Sequence, residues 1–130
     1  MIYGTGVDIV NIKRVQKMIE KWDEKFLSRI FIETEKDYCK KKSNEAVHFA
    51  ARFAAKEAVA KMFGTGIGKV KWKDIIVINN KSGKPEIKLR GKAKDLKKEL
   101  EIEKIFLSIS HEKEYAIAQV IAEGGKKWLF

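Results

Sequence analysis

Two periodicities of apolar residues alternate along the chain. MIYGTGVDIV opens with β-branched and aromatic side chains and predicts a strand over Ile2–Ile9, ending near Asp8. Past Asn11, a candidate N-cap, Ile12, Val15, Ile19 and Trp22 recur every three or four residues. That spacing predicts a helix with one buried stripe, whose other face carries Lys13, Arg14, Lys17 and Lys21. DEKFLSRIF predicts a short second helix, and Thr34 with Asp37 forms a weak capping box for a third, running through Lys41. Ser43 or Asn44 caps a long helix that ends at Phe63, where the glycines of FGTGIG stop it.

The second half returns to the strand pattern. WKDIIVINN is a continuous apolar run, which predicts a strand covered on both faces. NNKSGKP predicts a hairpin turn at Gly83, and PEIKLRG alternates as a half-exposed partner strand. KAKDLKKELEIE predicts a charged helix with Ala93, Leu96 and Leu100 inward. KIFLSIS and EYAIAQVIA are the last strands, joined by HEKE. The tail EGGKKWLF is expected to be loose up to an aromatic end suited to docking. These elements predict an α+β fold: one domain over residues 1–130, with shorter helices and a long buried helix packed on one mostly antiparallel sheet.

Composition narrows the class. Residues of the hydrophobic type make up 45% and charged residues 35%, enough for both a core and solubility. No signal-like segment or membrane-length apolar run appears, and Cys39 is the single cysteine, so a cytoplasmic protein without disulfides is expected. The net charge of +10 has two explanations: solvated helix faces, or an acidic partner. Of 28 basic residues only Arg14, Arg29, Arg52 and Arg90 are arginine, which argues against a nucleic-acid binder. A hot habitat or biased codon usage would also enrich lysine.

Candidate chemistry centres on RFAAKEAVAKMFGTGIG, Arg52–Gly68, where Lys56, Glu57 and Lys61 interrupt an apolar helix. At about 100° per residue, Glu57 and Lys61 share a narrow stripe, while Ala51, Ala55, Ala58 and Met62 share another. An exposed pair of this kind is ordinary and contributes about 0.3–0.5 kcal/mol. The apolar surroundings favour a second reading, in which Glu57 holds a metal and Lys61 a phosphate. Asp8 is either a turn residue or a second carboxylate at a strand end, and such a pair suits Mg²⁺. FGTGIGK follows a helix instead of preceding one, so it reads as a stop more than a phosphate cradle. Ser108, Ser110 and His111 end a strand, where phosphate contact is better supported than serine catalysis.

GTGVDIVNIKRV, FAARFAAKEAVAKMFGTGIG, KSGKP and LSISHEKEYAIAQV, in that order, resemble the holo-[acyl carrier protein] synthases, small 4'-phosphopantetheinyl transferases. The resemblance implies transfer of phosphopantetheine from coenzyme A to a serine of apo acyl carrier protein, leaving adenosine 3',5'-bisphosphate, in fatty acid biosynthesis. It implies Asp8 and Glu57 as Mg²⁺ ligands and, with Lys61, as the catalytic group. Coenzyme A contacts fall on Arg52, Lys61, Gly64, Ser110 and His111. A homotrimer with the coenzyme site between subunits is also implied, without nucleic acid or membrane. The carrier is acidic, so Lys13, Arg14, Lys17 and Lys21 would steer it, around an apolar centre of Met18 and Phe26. One position departs: Ile32 stands where the family often has threonine, while Glu35 keeps the nearby acid. A basic nucleic-acid module and a metal-dependent phosphohydrolase are the competing readings.

Overall fold

The computed structural model describes residues 1–64, 67 and 69–125. Its first element, β1 (Ile2–Asn11), runs to Asn11, past the expected end near Asp8, and leads directly into α1 (Ile12–Trp22). Asn11 caps α1 as anticipated, its side chain accepting from the Arg14 N–H at 3.0 Å. Ile12 and Val15 are buried and Ile19 packs at the edge of the core, but Trp22 is 45% exposed. The predicted stripe therefore stops one turn early, because Trp22 ends the helix beside a cleft.

α2 (Glu24–Ile30) and α3 (Glu33–Lys40) follow. The cap of α3 differs from the Thr34–Asp37 expectation: Glu35 reaches back to accept from the Ile32 N–H at 3.0 Å. α4 (Glu45–Phe63) is the axis of the molecule, and Gly64 closes it in the left-handed conformation at φ 79°. Thr65, Gly66 and Gly68 of the glycine run lie outside the described residues, as does the tail from Lys126 to Phe130.

Two sheets form where one was expected. The larger has strand order β1–β5–β4, all antiparallel, with β4 (Ile102–His111) and β5 (Tyr115–Gly124). The smaller is the hairpin of β2 (Ile75–Asn79) and β3 (Pro85–Leu89). Ile75, Ile76 and Val77 are buried in succession, as a strand covered on both faces requires. Trp72–Asp74, expected as part of this strand, instead makes a 3-10 turn before it. Gly83 supplies the hairpin's positive φ, and Asn80 Oδ1 accepts from the N–H groups of Ser82 and Lys84. α5 (Gly91–Glu99) buries Ala93 but ends sooner than predicted, since Glu101 turns left-handed and Ile102 starts β4.

Alternation along β1 and β5 decides what meets α4. Gly6, Val10, Ala116, Ala118, Val120 and Ala122 point inward against Ala51, Ala54, Ala55 and Ala58. Small residues on both sides let strand and helix approach closely. A Cβ on Gly6 would lie 1.9 Å from the Ala58 carbonyl oxygen, so any side chain there would push the strand off. Asp8, two residues along the same face, is thereby presented to α4.

Candidate active site

Asp8 and Lys61 meet where β1 crosses α4, with Glu57 one helical turn before Lys61. Lys61 Nζ donates to Asp8 Oδ1 at 2.9 Å and to the Val7 carbonyl at 3.1 Å. It does not compensate Glu57. The Asp8 side chain is 18% exposed and that of Lys61 54%, so this ion pair contributes little, roughly 0.2–1 kcal/mol. Glu57, half-buried and one turn before Lys61, accepts at Oε1 from the Trp72 indole N–H at 3.2 Å.

The fully buried charge of α4 is the neighbour of Glu57. Lys56 and Glu35 are both completely enclosed, with Nζ 2.8 Å from Oε1. Lys56 Nζ also donates to the carbonyls of Trp72 (2.9 Å) and Ile75 (2.5 Å). Glu35 accepts further from the backbone N–H groups of Ile32 and Val77, each at 3.0 Å. Desolvation pulls the Lys56 pKa down to about 8 despite the attraction of Glu35. Every contact here is internal, so Glu35 is a structural anchor that ties α3, α4 and β2 together.

The residues assigned to the nucleotide phosphates fall at the other end of α4. Arg52 is buried, its guanidinium 4.0 Å over the Tyr38 ring, with Nη2 donating to Asn79 Oδ1 at 2.5 Å. Its Nε has no hydrogen-bond partner among the described residues. His48, one turn earlier, lies 6.4 Å ring to ring from His111 at the end of β4. Burial, followed by the charges of Arg52, Lys42 and His111, holds the His48 imidazole below its ordinary pKa. The sequence reading named Arg52 and His111 here but missed His48 and Lys42. A histidine at i−4 from Arg52 was the available signal. Ser108 and Ser110 are exposed on β4, and the Gly64 N–H caps α4 by donating to the Lys61 carbonyl.

Lys13, Arg14, Lys17 and Lys21 all face solvent from α1. Met18 and Phe26 line an apolar cleft of about 550 Å³ with Trp22, Ile30, Phe53 and Trp72, and Lys25 and Arg29 stand among its walls. Trp72 thus touches both the cleft and Glu57.

The donor set fits magnesium. Asp8 and Glu57 offer hard carboxylate oxygens, and Asp8 already holds a cation, the Lys61 ammonium. Among the described residues no three His, Cys, Asp or Glu side chains converge. A shell of two carboxylates, left for water and phosphate to complete, is what Mg²⁺ takes.

The profile of the 4'-phosphopantetheinyl transferase superfamily matches residues 4–120. The chain belongs to the holo-[acyl-carrier-protein] synthases of that superfamily. The holo-[acyl-carrier-protein] synthase of Halothermothrix orenii is 48% identical over 125 residues, covering 96% of this chain and all of the relative. The crystal structure of the Neisseria meningitidis enzyme superposes with a TM-score of 0.87 at 37% identity, covering 95% of this chain and 99% of that one. A Bacillus anthracis enzyme, solved in complex with CoA (3',5'-ADP), gives 0.79 at 41% identity over 96% of this chain and 99% of its own. The chain is accordingly a phosphopantetheinyl transferase of fatty acid biosynthesis, moving phosphopantetheine from coenzyme A to apo acyl carrier protein. No helix among the described residues is long and apolar enough to cross a membrane.

Proposed function

We propose that this chain performs the transfer with Asp8, Glu57 and Lys61 as the reacting centre and the basic end of α4 as the anchor for the donor. One observation carries the donor assignment: a single helix supports both kinds of anion site. Glu57 and Lys61 lie at one position, and Arg52 and His48 lie towards the other end, about 8 and 14 Å from Glu57 along the axis by 1.5 Å per residue. Coenzyme A has two separated anionic centres to match, its diphosphate and its 3'-phosphate. Lys42, His48, Arg52 and His111 form an all-basic cluster for the latter, and Gly64 and Ser110 lie close in sequence to the residues of the two ends.

Asp8 and Glu57 would hold Mg²⁺, which when bound neutralises the diphosphate and orients it for in-line displacement. Lys61 leaves Asp8 to contact the same diphosphate, and its charge favours departure of adenosine 3',5'-bisphosphate. The carrier's serine hydroxyl enters opposite that leaving group and gives up its proton to a carboxylate or to solvent.

The acidic carrier docks on α1. Lys13, Arg14, Lys17 and Lys21 supply attraction at range, and Met18 and Phe26 supply apolar contact at the cleft. The protein works in the cytoplasm as a homotrimer. Support for self-association lies on the outer face of the larger sheet, where Val7, Ile9, Phe106 and Ile117 are 40–60% exposed.

Incubation with coenzyme A, Mg²⁺ and an apo acyl carrier protein tests the reading by mass spectrometry. The carrier should gain one phosphopantetheine on serine, and the gain should stop when EDTA is added. Hydrolysis of coenzyme A without carrier modification would point instead to a phosphohydrolase.

A further inference from the structure

We propose that Trp72 is the positioning residue for Glu57, and that Glu35 and Lys56 act through it. Four contacts form a continuous chain that leaves α4 and returns to it one residue later. Glu35 fixes the Lys56 ammonium at 2.8 Å, and that ammonium grips the Trp72 carbonyl at 2.9 Å. The same ammonium holds the Ile75 carbonyl at 2.5 Å, so both ends of the 3-10 turn are pinned. The indole then reaches back to Glu57 Oε1 at 3.2 Å, with its ring braced on Phe53 at a centroid distance of 5.9 Å.

The chemistry of this loop suits a metal ligand. A glutamate on a helix has three rotatable side-chain bonds, and an N–H donated to one oxygen removes much of that freedom. The oxygen taken is Oε1, so the indole holds the carboxylate by one oxygen and leaves Oε2 for a cation. Outer-sphere hydrogen bonds of this type commonly change metal affinity about 10–100-fold. Lys56 cannot serve as the donor itself, because it is enclosed and committed to Glu35 and two carbonyls. Its part is to hold the backbone from which the indole extends. This inference rests on the reading of Asp8 and Glu57 as metal ligands.

The test replaces the donor and keeps the ring, Trp72→Phe, with Mn²⁺ as the probe. Mn²⁺ is titrated into protein saturated with coenzyme A, and free Mn²⁺ is read by electron paramagnetic resonance. The variant should bind Mn²⁺ about 10-fold more weakly than wild type. In a Glu57→Gln background the same substitution should change Mn²⁺ binding no further. Equal Mn²⁺ affinity in Trp72→Phe and wild type would overturn the proposal. So would a raised carrier KM with Mn²⁺ binding intact, which would make Trp72 only a wall of the cleft. Wild-type protein that modifies the carrier but takes up no Mn²⁺ would remove the metal reading itself, and the proposal with it. Should Trp72→Phe fail to fold, the Trp72 indole ¹⁵N–H resonance of otherwise native protein decides. It should move on adding Mg²⁺ and differ in Glu57→Gln; indifference to both would refute the inference.

Discussion

Replacing Lys56 with methionine keeps a four-atom apolar stem, with sulfur for one methylene, and removes the ammonium. Glu35 then loses its ammonium partner with its side chain wholly enclosed, and the carbonyls of Trp72 and Ile75 lose a donor. Breaking a buried ion pair by removing one partner typically costs about 3–5 kcal/mol. Native domains hold only about 5–15 kcal/mol in total. At roughly 3 °C per kcal/mol for a chain of this size, the melting temperature should fall by about 10–15 °C. Adding Glu35→Gln removes the stranded carboxyl group while keeping a carbonyl acceptor for the N–H groups of Ile32 or Val77. The double variant should therefore be less unstable than the sum of the two singles. Urea denaturation followed by far-ultraviolet circular dichroism measures all four proteins. The pH dependence adds a second signature. The folded pKa of Lys56 is depressed from 10.5 to about 8, so between those values the unfolded chain binds more protons at this residue. Stability contributed at this site therefore rises with pH from about 8 to 10.5, and Lys56→Met should lack that rise. A Lys56→Met protein within about 1 kcal/mol of wild type, or strict additivity in the cycle, would refute the account of this pair.

Asp8→Asn and Glu57→Gln should each slow carrier modification at least about 100-fold, since several kcal/mol of charge stabilisation are lost, while melting temperatures stay within a few degrees. Near-normal rates at ordinary Mg²⁺ concentrations would rule out the metal assignment. Lys61→Ala should raise the KM for coenzyme A more than that for the carrier, because its ammonium sits 2.9 Å from Asp8 and away from α1; a change confined to the carrier would move Lys61 to the other site. Arg14→Glu with Lys21→Glu should weaken carrier binding and flatten its salt dependence, since exposed charges act mainly on encounter and are screened beyond about 8 Å. An unchanged carrier KM and salt slope would leave these charges a role in solubility alone. Ile9→Glu, on the outward sheet face, should reduce the assembly to single chains in sedimentation velocity, whereas a native-like sedimentation coefficient would exclude that face as the interface.

What could be seen in the sequence was whatever depends on neighbours along the chain. Asn11 caps α1 and Gly64 stops α4 because a helix end needs local acceptors and a local change of backbone hand. The buried triplet Ile75–Val77 likewise declared itself by lacking alternation. Trp22 misled because a stripe of period three to four says which residues share a face, not how far the core beneath it extends. The helix caps went astray at α3 for a related reason. Thr34 and Asp37 have the right spacing for a capping box, but Glu35 is held at the start of the helix by Lys56 and Val77, and so is placed to reach the Ile32 N–H. A remote contact chose between two local options.

The same distinction governs the site. Glu57 stood out as a carboxylate on an apolar helix, and the fold does set it beside the crossing with β1. Yet the helical pair that the spacing of Glu57 and Lys61 allowed does not form, because Lys61 turns to Asp8. Lys56 and Glu57 are adjacent in sequence and about 100° apart around α4, so composition alone registers two charges on the same turn. Which one is dry depends on what covers each side, and α4 is covered nearly all round. Lys56 faces α3, the 3-10 turn and β2, where it finds a carboxylate and two carbonyls; Glu57 stays half-buried and finds an indole. A buried lysine can persist only with such a full set of acceptors, and that set is assembled from residues 35, 72 and 75. The apolar helix therefore holds two charges on different physical terms. The internal one is fully satisfied. The half-buried one accepts an N–H from a side chain whose backbone the internal one holds.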